Sequence, residues 1–178
     1  MLLEPHERVK AVYFCSNQSM VVIDLIIAFT DWAERELEQL DILVENVGVA
    51  TSEYKQVEGW EGTLPTSNLG PGLLTIHMIP KLLETARKYS VVPRQVIVAS
   101  DMHYWTAIEK DVIAAPNILA KLSDEDLHKR GRESPVLQWQ IAQCSPYSIS
   151  ATRVPSLPAI IVNPGSCHSG LQTSIPAE

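Results

Sequence analysis

Three short apolar runs in this sequence each end in a small, polar turn. The runs are residues 42–44, 96–98 and 160–162, and the turns read Glu-Asn-Val-Gly at 45–48, Ala-Ser-Asp at 99–101 and Asn-Pro-Gly-Ser at 163–166. Amide and hydroxyl side chains can hydrogen-bond a ligand, and glycine lets a ligand approach the backbone. Because buried parallel strands carry binding loops at their carboxyl ends, the pattern predicts a ligand site there.

The stretches between these runs are long enough to cross back over a sheet as helices. The apolar residues Phe29, Trp32, Ala33, Leu37 and Leu40 fall at helical spacing, and a second apolar helix is predicted from Leu73 to about Arg87. Pro65, Pro71 and Pro80 each threaten helix that the pattern otherwise supports, and Pro80 is expected to kink the second helix. Strands are predicted at 42–44, 95–99 and 159–163, whereas residues 1–22 show no clear period and 121–132 form a solvated loop or short helix.

The amino-acid composition is typical of a globular protein. Its 178 residues suit one domain, and a net charge of -7 argues against nucleic-acid binding. Three widely spaced cysteines show no zinc-site spacing, so we expect no metal and a reduced, cytoplasmic setting. The first residues lack the basic flank of a signal peptide, and no run is long enough to predict a membrane span.

Four motifs in order resemble the short-chain dehydrogenase/reductase family. Residues 40–49 are similar to its strand-four signature, Leu-Asp-x-Leu-Val-Asn-Asn-Ala-Gly. Trp-Glu-Gly-Thr-Leu at 60–64, the run 94–103 and Ile-Val-Asn-Pro-Gly at 161–165 follow in the family's order and rough spacing. The likeness covers residues 29–120 and 159–170, and is strongest to fungal members related to retinol dehydrogenases. Residues 1–22 and 128–158 do not match.

The resemblance implies an α/β fold with a partial Rossmann-like parallel sheet and flanking helices. The resemblance also implies that residues 1–178 form a single, incomplete NAD(P)-binding domain, which is expected to lack the amino-terminal glycine-loop βαβ unit because no glycine precedes Gly48. The implied activity is hydride transfer between the nicotinamide of NAD(P) and an alcohol or ketone carbon. The mostly apolar surroundings favour a lipophilic substrate.

The family's site residues carry over position by position. Ser100 aligns with the catalytic serine, which holds the substrate oxygen. The residues that align with cofactor-binding positions are Asn46, Val47, Gly48, Pro164, Gly165 and Ser169. Glu45 replaces an asparagine of the signature, so a narrower, more acidic pocket is expected.

Other catalytic positions depart from the family pattern. Tyr147 is the only tyrosine where the catalytic Tyr-x-x-x-Lys pair is expected, and Ala151 stands in place of the lysine. Ser67 falls at the place of the helix asparagine, and Asn68 lies one residue further on, about 100° around a helix. His77, on an apolar helix, is expected to be a packed core histidine.

Two readings of the chain follow. It is an oxidoreductase of this family, or a catalytically inactive remnant or truncated gene product with at most a binding role. A frame shift, alternative splicing or a mispredicted exon would explain the mismatched stretch and the abrupt amino terminus. The second reading allows a homo-oligomer, or a hetero-oligomer with an intact homologue, through exposed sheet edges.

Overall fold

The structure is a computed structural model, and it describes residues 11–13, 23–49, 53–99, 108–130, 154 and 156–165. Within them, four parallel strands form one sheet in the order β1-β2-β5-β6. These strands are β1 (Ala11–Tyr13), β2 (Ile42–Glu45), β5 (Arg94–Val98) and β6 (Ala159–Val162). Two further strands, β3 (Gln56–Val57) and β4 (Trp60–Glu61), form a separate antiparallel hairpin. The predicted α/β class and the partial Rossmann-like parallel sheet are confirmed.

Two long helices connect the sheet strands. The first, α1 (Ile23–Glu36), lies between β1 and β2, and α2 (Gly70–Tyr89) lies between the hairpin and β5. Three short helices follow β5: α3 (Lys110–Ile113), α4 (Ile118–Leu122) and α5 (Glu125–Arg130). The predicted short helix within residues 121–132 is therefore present as α5, with the end of α4 before it.

The start of α2 accommodates the prolines that the sequence presents as helix breakers. A π-helical turn (Pro65–Leu69) runs directly into α2, with Pro65 and Pro71 each in the first positions of its segment. Proline is tolerated there because the first-turn N–H groups have no partner within the helix. The predicted disruption at these two prolines is wrong. Pro80 lies inside α2, which continues past it to Tyr89.

The main core fills the space between the two long helices and the sheet. Its buried side chains come from α1, the link before β2, β2 itself, α2 and the segment before β6: Ile26, Ala33, Leu40, Leu43, Leu74, Met78, Leu82 and Leu157. A second cluster, Leu64, Val112, Leu122 and Leu127, holds the three short helices against the residues that precede α2. Apolar burial of this kind is the main favourable term in folding.

Four expectations about the helices are wrong in detail. The first helix starts six residues before Phe29, at Ile23, whose backbone N–H donates to Glu58 Oε1 at 3.1 Å, a partner that local periodicity cannot reveal. It ends at Glu36, so residues 37–41 form a link rather than helix. Trp32, expected on the apolar face, is 45% exposed. His77 is exposed on α2 and is not a core residue.

None of the described helices is long and apolar enough to cross a membrane. The sequence also predicts a short helix that begins at Ser134 and Pro135 and a fraying tail from Leu171 to Glu178, and both stretches lie outside the described residues.

Candidate functional site at the carboxyl edge of the sheet

The carboxyl ends of β2, β5 and β6 meet at one edge of the sheet, as the sequence predicts. Glu45 on β2 pairs with Ile97 on β5, and Val98 pairs with Val162 on β6. One further bond, from Ala99 N–H to Val162 O at 2.9 Å, extends the ladder past the end of β5. The turns after β2 and β6 are therefore two strand spacings apart, about 10 Å.

The turn after β2 is open to solvent at its first residue. Asn46 is exposed, and Val47 and Gly48 are half-buried. The Oγ of Ser67 accepts the backbone N–H of Val49 at 3.3 Å, which ties this turn to the π-helical turn before α2. The side chain of Ser67 is buried, so this hydrogen bond holds the turn from the interior side of the protein.

The turn after β6 is closed by its own asparagine. Asn163 Oδ1 accepts the backbone N–H of Gly165 at 3.0 Å, and Gly165 adopts φ +74°. An Asx turn with glycine in the left-handed region is a local solution that the sequence Asn-Pro-Gly predicts. Both Pro164 and Gly165 are exposed beside the sheet edge.

Asn68 is the second buried polar residue of the π-helical turn. Its side chain is 6% exposed, and neither amide atom has a hydrogen-bond partner among the described residues. Burying an amide without hydrogen-bond partners costs free energy. The Asn68 amide is therefore a place where a ligand or a water molecule could bind. The sequence predicts that the side chains of Ser67 and Asn68 point in different directions around a helix. In the structure both side chains are buried.

Beneath the turn after β2, a polar network joins three elements. Glu45 Oε1 accepts the Thr75 hydroxyl of α2 at 2.5 Å and an N–H of Gln95 Nε2 from β5 at 2.9 Å. Burial raises the pKa of Glu45 to about 7, although the hydrogen bonds from Thr75 and Gln95 lower it in part. Glu45 is only 4% exposed, so its carboxyl group does not make the surface of the turn acidic.

Sequence reasoning identified the turns but missed this network. Thr75 and Gln95 carry no motif, and they meet Glu45 only because α2 packs on the sheet. A polar residue in the middle of a predicted buried strand, as Gln95 is, was the one available signal.

Only some of the predicted site residues fall within the described structure. The structure brings Asn46, Val47 and Gly48 to the same edge as Pro164 and Gly165. Ser100, Tyr147 and Ser169 fall outside the described residues, as do Ala151 and the other members of the mismatched stretch from 131 to 153. Among the residues with described side chains, no group of three or more His, Cys, Asp or Glu could hold a metal ion.

The fit of these residues to a dinucleotide is partial. The open turn at 46–48 and the exposed turn at 163–165 offer amides and backbone at two places about 10 Å apart. No glycine precedes Gly48, so residues 1–47 supply no glycine-rich cradle for a pyrophosphate. Among the described residues, the groups that could contact a dinucleotide therefore lie in these two turns.

Solved structures of other proteins share this fold. The chain superposes on an oxidoreductase from Escherichia coli with a TM-score of 0.61 and 13% identity, covering 93% of this chain and 59% of that one. A short chain dehydrogenase from Shigella flexneri, solved with NADP, gives a TM-score of 0.60 at 13% identity, covering 93% of this chain and 60% of that one. At these identities the likeness concerns the fold alone.

Curated sequences give a closer relationship. A short chain dehydrogenase of Gibberella zeae is 30% identical over 146 residues, which cover 80% of this chain and 42% of the relative. One from Alternaria solani is 30% identical over 152 residues, covering 85% of this chain and 52% of the relative. The chain is a homologue of these short chain dehydrogenases. No protein-family model matches it.

The chain spans about half the length of the curated relatives it matches. Its β2, β5 and β6 carry motifs that the resemblance rests on, and the turns after β2 and β6 lie at the edge described above. In the described part of the chain, β1 adds a fourth parallel strand beside β2, with Ala11 opposite Ile42.

Proposed function

We propose that the chain takes part in NAD(P)-dependent hydride transfer to or from a lipophilic alcohol or ketone carbon. The observation that carries this proposal is the gathering of the turns after β2 and β6 at one sheet edge, with β5 between them. Ligands of open α/β sheets bind at that edge. The family relatives are short chain dehydrogenases, which supports the same reaction class.

Each matched residue has a role in this proposal. The turn at 46–48 lies against the adenosine side of the cofactor, and Pro164, Gly165 and Ser169 lie against the nicotinamide amide. Ser100, two residues beyond the end of β5, holds the substrate oxygen through its hydroxyl. The cofactor supplies and accepts the hydride, and Tyr147 is the candidate proton donor or acceptor.

A second candidate is a chain that binds the cofactor without turnover. It is favoured by Ala151 at the position of the lysine, since a nearby ammonium is what lowers the pKa of the tyrosine in the family pattern. Asn68 supports it too, because the amide that would complete the site is one residue from its expected place. In this reading the partner is an intact homologue or a second copy of the chain.

Isotope transfer separates the two candidates. The full chain is incubated with NADPH or NADH deuterated at C4 of the nicotinamide and a panel of apolar ketones, and products are examined by mass spectrometry. Hydride transfer predicts alcohols with one deuterium, whose formation S100A reduces by about 10² or more. Cofactor binding without deuterated product favours the second candidate, and absence of binding contradicts both.

The same proposal places the chain in the cytoplasm, where NAD(P) is available and where its three widely spaced cysteines would stay reduced. Fluorescent tagging in a fungal cell, followed by fractionation, tests the location. Recovery of the chain in a sealed organelle would contradict it.

A further inference from the structure

Glu45 is a buried carboxyl group that hydride transfer does not use. Its side chain is 4% exposed and lies where β2, β5 and α2 meet, directly before the turn at 46–48. The family signature has asparagine at this position, so the carboxyl group is a feature of this chain. Burying an ionisable side chain at such a junction costs free energy whenever the group is charged and unpaired.

The two oxygens of Glu45 have different surroundings. Oε1 accepts the Thr75 hydroxyl at 2.5 Å and a Gln95 amide N–H at 2.9 Å. The Gln95 amide also donates to Thr75 Oγ1 at 2.7 Å, which closes the network. Oε2 is buried and receives no hydrogen bond from the described residues. A negative charge on Oε2 would have no hydrogen bond to stabilise it, so the surroundings favour the neutral acid, with Oε1 as its carbonyl oxygen and the proton on Oε2.

No cation compensates an ionised Glu45 in the described structure. The side chains that β2, β5 and the first half of α2 bury are uncharged: Leu43, Leu74, Thr75, Met78, Gln95 and Ile97. Arg94 and His77 are exposed. Lys81 is buried further along α2, and its ammonium donates to Glu34 O and to Glu84. Burial is therefore the dominant influence on Glu45, and it favours the neutral form.

We propose that Glu45 is a proton-dependent clamp: its protonated carboxyl group joins β2, β5 and α2 beneath the turn at 46–48, and its ionisation destabilises the fold by placing an uncompensated negative charge at that junction. The clamp acts on the stability of the fold and does not depend on the proposed reaction.

The direction of the pH effect follows from linkage. The pKa of Glu45 is about 7 in the folded chain and has its ordinary value of 4.5 when the chain unfolds. The contribution of Glu45 to stability is complete below pH 4.5, falls as pH rises, and is lost above about 7. Within this window the unfolding constant increases about tenfold per pH unit through this group alone.

The test is urea unfolding of the full chain between pH 5 and 8, with wild type and E45Q measured side by side. Glutamine has the shape of protonated glutamate and does not titrate. The ratio of the wild-type unfolding constant to that of E45Q is expected to rise about tenfold per unit from pH 5 to 7 and then to level. A ratio that stays constant across this range overturns the proposal.

E61Q is the matched control. Glu61 is 1% exposed, and its Oε2 accepts both the backbone N–H and the hydroxyl of Thr63. The slope assigned to Glu45 must persist in E61Q. If E61Q removes that slope as E45Q does, the assignment to Glu45 is wrong.

A second measurement serves if E45Q does not fold. The protonated carboxyl band of Glu45 is followed by infrared spectroscopy, using glutamate labelled with carbon-13, in wild type and T75V. The Thr75 hydroxyl stabilises the ionised form, so T75V moves the midpoint of this titration to higher pH. A midpoint that stays in place or moves to lower pH overturns the clamp.

Discussion

The hydroxyl of Thr85 accepts the backbone N–H of Leu40 at 3.0 Å, and both residues are fully buried. This bond joins the last turns of α2 to the link that leads into β2, 45 residues earlier. It therefore fixes the start of the strand whose far end carries the turn at 46–48.

Replacement of Thr85 tests this bond. T85V removes the acceptor and leaves a buried N–H without a partner, so the free energy of unfolding is expected to fall by about 1–3 kcal/mol. T85S keeps the oxygen and loses one methyl group, at about 0.8 kcal/mol. Urea unfolding of both variants at one pH provides the comparison. Equal stability of T85V and wild type would show that the bond contributes nothing.

Alanine substitution at two glycines is a second test, because a Cβ built at either glycine would lie in open space. Gly72 lies in α2 and Gly165 has φ +74°, and neither would place a Cβ within 4 Å of another group. G72A is expected to stabilise the chain by about 0.5–1 kcal/mol, because alanine is the better helix residue. G165A is expected to destabilise it by about 1–2 kcal/mol through backbone strain. Effects of the same sign in both variants would contradict the backbone assignments.

Pro80 provides a third test. It is exposed and interrupts the hydrogen bonding of a helix that continues on both sides. P80A restores an N–H that can donate to Ile76 O, so thermal unfolding is expected at higher temperature, with a gain of up to about 3 kcal/mol. P80G should gain about 1 kcal/mol less, since glycine is a poor helix residue. A P80A variant less stable than wild type would mean that proline makes a packing contact that outweighs the lost bond.

Much of the sheet could be predicted because strand signals are local. The apolar runs that became β2, β5 and β6 end in turns of glycine, asparagine and proline, and the structure extends none of them by more than a residue or two from its predicted bounds. The signal for β1 was weak, since its three apolar residues lie in a stretch without period, and only pairing with β2 reveals the strand.

The candidate site was predictable only where it follows a strand. Asn46 and Gly165 could be placed from motif and turn chemistry, whereas the network of Glu45, Thr75 and Gln95 depends on the rotation of α2 over the sheet. That rotation is set by tertiary packing of residues such as Met78 and Leu82. Exposure of Trp32 and His77 has the same cause, because an amphipathic pattern does not fix which residues at its border are covered.

Calorimetric titration of the full chain with NADPH and NADH tests the central claim, that the carboxyl edge of the sheet binds a nicotinamide dinucleotide. Wild type is compared with G48L, which places a bulky side chain in the turn after β2, and with I76A, a control on the exposed side of α2. We predict saturable binding of at least one cofactor to wild type and I76A, and its loss in G48L. Absence of binding to wild type, or equal binding to G48L, would contradict the account.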